Sequence, residues 1–264
     1  MPIHQAFLRD MQVAFNLSRT QIVTLFKDIR DKPNDYGVID NAPPHASFPS
    51  VVERIETLLG MNSIFPNGAA LTVSYQGTNF EFETPFDLVG WILSVTGHIP
   101  EDVTTANYYY PLVILYCQWC RTLCAREKKE AKMVQITWYT QGGTKRVCLG
   151  SSLDRPKGER KEIARTRRFN MLSRDRLALG YERHLPYSGD GGQPIGHCAE
   201  TFPILFIKSL GEEVTLPDAR GIAVKPLEAL NAGMPNKFDV PDTETLRKDL
   251  LEDPCDNCEV VLLR

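Results

Sequence analysis

The sequence has no long hydrophobic run, no net positive charge and no even set of cysteines. Its longest uninterrupted apolar stretch, Pro111 to Cys117, falls far short of the roughly 20 residues that a membrane-spanning helix needs. No basic segment followed by an apolar one opens the chain, so no secretory signal peptide is expected. The expected setting is the cytoplasm or another intracellular compartment, with no membrane partner. The formal net charge of −3 provides no global field for nucleic acid, and any such binding must come from a local patch. Seven cysteines cannot all pair, and Cys117, Cys120 and Cys124 crowd one short segment. That usage fits reduced thiols or metal ligands better than a disulfide framework. Internal repeats and a P-loop are also missing.

What is present suits a globular protein. At 264 residues, 42% hydrophobic and 24% charged, the chain is long enough for one large domain or two modest ones with buried cores. Residues 1–132 read as a mainly helical domain. Ser18 precedes a segment, Arg19 to Phe26, whose apolar residues recur at three and four, and Pro33 closes it. Asp40 to Pro49 is a connector, Ser50 to Glu53 forms a capping box, and Gly60 stops the helix that follows. A β-hairpin is expected near 70–84, from Leu71–Tyr75 and Phe80–Glu83 around Gln76 to Asn79. Thr84-Pro85 opens another helix that ends near Gly97. A longer helix is expected from Pro111 to Lys132, where Lys128, Lys129 and Lys132 suit the negative end of its dipole. Cys117, Cys120 and Cys124 fall on one face of it among Leu115, Trp119 and Leu123, a pattern of core packing.

The pattern changes after residue 133. Val134 to Tyr139 alternates, Gly142-Gly143 turns the chain, and Lys145 to Leu149 returns as the second strand of a hairpin. The segment Arg155 to Arg176 carries nine Arg or Lys against three acids. It reads either as a solvated helix face or as a phosphate clamp in which Arg165, Arg167 and Arg168 take part. Ser188 to Gly192 is a Gly-rich loop and Gly221 to Lys225 a strand.

Two motifs carry chemistry. Cys198-Ala199-Glu200 heads an apolar run, and Pro254-Cys255-Asp256-Asn257-Cys258 follows some fifty residues later. Pro203 is tolerated only in the first turn of a helix, so that helix must begin close to Cys198–Glu200. Three thiolates and a carboxylate form the set a catalytic zinc uses, with three protein ligands, an open position and a nearby group to move protons.

A C-x-E followed by P-C-x-x-C resembles the zinc-dependent cytidine deaminase superfamily. The order of hairpin, C-x-E helix, strand and P-C-x-x-C extends that resemblance over about residues 133–264. It implies an α/β fold, a cytidine-deaminase-like α/β/α sandwich shortened at its C-terminal end, behind the helical domain 1–132. It further implies Zn2+ held by Cys198, Cys255 and Cys258, with Glu200 as the proton shuttle. The implied reaction is hydrolytic deamination of an amino-substituted nucleobase, nucleotide or nucleic acid through a zinc-bound hydroxide. The partner would be a nucleobase-containing small molecule or single-stranded nucleic acid. His197 stands beside the ligand position, where it would orient a ligand or line the pocket. The alternative is a non-catalytic zinc module that serves protein–protein interaction. Six residues follow Cys258, so the sheet is expected to be short of strands. Its edge would then be covered by the hairpin near 70–84 or by a second copy in a homodimer.

Overall fold

The computed structural model describes residues 11–37, 71–75, 78–82, 84–96, 99–124, 131–153, 159–174, 196–209, 219–231 and 251–252. The expected connector at 40–49, the capping box at 50–53 with its stop at Gly60, the loop at 188–192 and the segment 254–264 lie outside the described residues. In chain order the elements are α1 (Met11–Phe15), α2 (Arg19–Asp31), β1 (Leu71–Tyr75), β2 (Thr78–Phe82), α3 (Pro85–Val95) and α4 (Tyr110–Cys124). Then come β3 (Val134–Gln141), β4 (Thr144–Ser151), α5 (Glu159–Arg174), α6 (Thr201–Ser209), β5 (Arg220–Val224), α7 (Pro226–Asn231) and β6 (Leu251–Glu252). The chain is thus a mixed helix-and-strand structure, and among the described residues no helix is long and apolar enough to cross a membrane.

Local signals set most helix starts. Ser18 caps α2 in a capping box with Gln21, and Ile22, Phe26 and Ile29 line its buried face at the i, i+4, i+7 spacing. Thr84 caps α3 with Asp87 as the reciprocal partner and Pro at the first position. A π-helical turn, Thr105–Tyr109, leads directly into α4, which starts one residue earlier than the apolar run suggests. Helix α4 is described as far as Cys124, and residues 125–130 lie outside the described set. Cys117 and Cys120 are buried in the core as expected, and so is Trp119. The indole Nε1 of Trp119 donates to the Ala14 carbonyl at 2.8 Å, and Phe26 meets its ring edge-on at 5.8 Å.

Strands β3 and β4 pair from Val134↔Ser151 to Gln141↔Thr144, longer at both ends than the alternation indicates. Gly142 and Gly143 both have positive φ (54° and 78°), as a two-residue turn matched to strand twist requires. Strand β5 runs antiparallel to β3, and the four-stranded order is β4-β3-β5-β6. Helices lie on both faces of this sheet. Tyr109, at the entrance to α4, stacks on Trp138 of β3 (4.3 Å between centroids, 7° between planes). Gly150 and its partner Gln135 point to the opposite face, and there α6 lies against β4.

The hairpin expected near 70–84 does not extend the four-stranded sheet. As β1–β2 it pairs Tyr75 with Thr78 and forms a separate two-stranded sheet. Phe80 and Phe82 instead pack against Phe202 and Phe206 of α6, and Phe82 against Trp91 of α3, because the hairpin has an apolar face to bury. Helix α3 covers the β4 edge. The outward N–H of Leu149 donates to Ser94 Oγ (3.0 Å), and Arg168 Nη1 donates to the outward carbonyl of Ser151 (2.9 Å). Side chains thereby satisfy edge groups that would otherwise invite another strand. Buried residues from α1 through α7 form one continuous core that joins the two halves of the chain.

Candidate functional site

The Cys198-Ala199-Glu200 segment forms a buried turn at the head of α6. Cys198 and Glu200 are each 8% exposed and Ala199 2%, a depth that withdraws thiol and carboxylate from bulk water. The Cys198 carbonyl accepts from both the N–H (3.3 Å) and the hydroxyl (2.9 Å) of Thr201. Ile204 N–H donates to the Glu200 carbonyl at 2.9 Å, the first α-helical bond. Pro203 falls in the first turn, where its missing N–H costs nothing. Every residue from Gly196 to Ile207 is buried, so the turn and the first two turns of its helix are withdrawn from solvent.

Two glycines allow that enclosure. A Cβ on Gly150 would lie 2.3 Å from the Ala199 carbonyl oxygen and 2.7 Å from Pro203 Cδ. Strand β4 therefore touches the C-A-E turn backbone to backbone, and no larger residue fits there. Gly196 has φ 91°, and a Cβ there would lie 2.8 Å from the Arg165 carbonyl oxygen and 3.2 Å from the Phe169 nitrogen. On the other side of the turn, Leu153 N–H donates to the His197 carbonyl at 2.9 Å. The turn is thus held between the end of β4 and the middle of α5.

Of the residues read from the sequence as site members, six lie among the described residues. His197, Cys198 and Glu200 share the buried turn, His197 being 8% exposed. Cys255 and Cys258 lie outside the described residues, and among the described residues no cluster of three His, Cys, Asp or Glu side chains is placed to hold a metal. Between β5 and Pro254 the chain forms α7 and β6, so the second motif follows the fourth strand of the sheet. Of the basic trio, Arg165 has a side chain 16% exposed and pairs with Glu162 at 2.7 Å, and Arg167 is half-buried. Arg168 is fully buried. It pairs with Asp87 at 2.8 Å, donates to the Ser151 carbonyl, and sits 4.8 Å above the Phe202 ring. Its charge is turned inward, away from any phosphate at the surface.

Two features were not legible beforehand. Asp87 belongs to the Thr84 capping box, yet its other oxygen accepts from Arg168 and from Ser151 Oγ (3.1 Å). The N3 acid was readable as a capping residue, but nothing in sequence ties it to an arginine 81 positions away. Gln135 and Thr137 form a buried polar pair (3.1 Å) on the sheet face that carries α6. Gly221 makes room for it, since a Cβ there would lie 2.3 Å from Gln135 Nε2. The same face carries Cys148, whose thiol burial pushes well above the usual range.

Comparison of the chain with protein-family models, with curated proteins and with solved structures returns no match.

Proposed function

We propose that this chain is a zinc-dependent hydrolytic deaminase of cytidine-deaminase-like architecture, acting on an amino-substituted nucleobase, free, as a nucleotide, or within a single strand. The observation that carries the reading is the buried C-A-E turn. Its thiol and its carboxylate lie two residues apart at the head of a helix that rests on a hairpin strand through Gly150. The donor set suits zinc: Cys198 from this turn, with Cys255 and Cys258 from P-C-x-x-C as the remaining thiolates. When bound, zinc supplies a Lewis acid that makes water nucleophilic near neutral pH.

Glu200 has the proton-transfer role. Its carboxylate takes a proton from the attacking water and passes it to the ring nitrogen as the C–O bond forms at the amino-bearing carbon. The second proton goes to the amine as the C–N bond breaks, and ammonia leaves. Burial keeps bulk water from competing for those protons. Helix α6 stabilises a thiolate at Cys198 through its N-terminal dipole, and the contacts with β4 and α5 fix where the turn stands.

Metal analysis of the purified full chain tests the ligand set. About one zinc per chain is expected, as a three-thiolate site implies, and Cys255→Ala is expected to lose it. Full zinc retention in Cys255→Ala overturns the assignment.

A further inference from the structure

We propose that the Arg168–Asp87 pair is a positioning device for the Cys198–Glu200 turn, an inference that takes that turn to be the site. Arg168 is the residue on which the surroundings of the turn converge. Its guanidinium reaches Asp87 on α3 (2.8 Å), the Ser151 carbonyl at the end of β4 (2.9 Å) and the face of Phe202 on α6 (4.8 Å). Its own Cβ lies against Gly196, at 3.3 Å from where a Cβ of that residue would stand. Gly196 is two residues before Cys198, and Phe202 is two residues after Glu200. One side chain therefore touches both ends of the turn while anchored to a helix and a strand that belong to neither end.

The chemistry of the group matters as much as its place. A guanidinium is a planar fork that donates in two directions and still offers a flat face to an aromatic ring. Lysine carries the same charge but is a point donor on a flexible stem. It can meet Asp87, but it cannot also hold the Ser151 carbonyl and lie flat on Phe202. An apolar pair of equal volume would fill the space without fixing any direction. The fork sets the spacing between β4, α5 and α6, and that spacing sets where the thiol of Cys198 and the carboxylate of Glu200 stand.

The test uses the full chain and two variants, Arg168→Lys and the double variant Arg168→Met with Asp87→Leu. Iodoacetamide labelling of Cys198 is followed by mass spectrometry, with the buried Cys148 on the adjacent strand as internal reference. Circular dichroism reports the fold, and cobalt absorption in the thiolate charge-transfer region reports ligand geometry. In folded variants, labelling of Cys198 is expected to rise about tenfold or more relative to Cys148, as local opening of one segment requires, and the cobalt bands to shift. Unchanged labelling of Cys198 in either folded variant overturns the proposal. So does a parallel rise at both thiols, which marks general loosening. If Arg168→Lys fails to fold, the double variant, in which no charge is stranded, decides alone. If the parent chain takes up no cobalt, the zinc reading fails, and the labelling ratio still decides the positioning role.

Discussion

Arg168 Nη2 stands 2.8 Å from Asp87 Oδ1, and neither side chain is exposed to solvent. The pair ties α5 to α3 and so binds the segment that flanks the C-A-E turn to the first half of the chain. Removing one member strands the other charge in the interior. Arg168→Met alone is therefore expected to cost about 3–5 kcal/mol. Arg168→Met with Asp87→Leu is expected to recover most of that, less about 1 kcal/mol for the Thr84 cap that also uses Asp87. Urea denaturation of the two variants with unchanged slope checks both figures.

The basic face of α5 makes a separate prediction. Arg168 is committed to the interior, so any contact with substrate phosphate falls to Arg165 and Arg167. Replacing these two with Ala is expected to weaken nucleotide or oligonucleotide binding and to flatten its dependence on salt, with zinc content unchanged. Fluorescence anisotropy over a range of salt concentrations checks it. If the parent chain has no affinity for either ligand, α5 is a solvated helix face.

The C-terminal end of α2 carries a titration signature. Burial first, and then the hydrogen bond from its hydroxyl to Asp28, hold Tyr36 up at about 12. Hydrogen bonds from Lys32 and Tyr36 lower the Asp28 carboxyl. The folded Tyr36 value lies above its unfolded value of about 10, so its contribution to stability is fully present below that pH. It is lost as pH rises toward 12. Asp28 works at the other end of the scale: its contribution is present above the unfolded carboxylate range and lost as pH falls. Subtracting the phenolate absorbance titration of Tyr36→Phe from that of the parent is expected to isolate one group titrating near 12.

Most of the local structure was legible because it is written locally. The Ser18 and Thr84 caps, the Gly142-Gly143 turn, Pro203 in a first turn, and the spacing of Ile22, Phe26 and Ile29 each depend on residues within about one helical turn or one hairpin. The Cys198–Glu200 turn was legible for the same reason: Pro203 confines the start of α6. What depends on long-range packing was not. No pattern tells Arg168 from Arg165 or Arg167, yet packing makes one a fully buried ion pair and leaves the others partly buried. The hairpin at 71–82 was readable as a hairpin, but not its place against Phe202 and Phe206. Gly150 looks like any strand glycine until Ala199 and Pro203 are seen above it.

The measurement closest to the central claim is ammonia release by the zinc-loaded full chain and by Glu200→Gln, across cytosine-, adenine- and guanine-containing bases, nucleosides, nucleotides and single strands. Glu200 is assigned proton transfer and no metal bond, so Glu200→Gln is expected to keep the zinc and the fold of the parent. Its ammonia release is expected to fall by at least about 10²–10⁴-fold, the range of a lost general acid–base. Glu200→Gln protein that releases ammonia at the parental rate contradicts the account. Zinc-loaded parent protein that deaminates none of these substrates also contradicts it, and leaves a zinc module whose metal serves the fold and a protein partner.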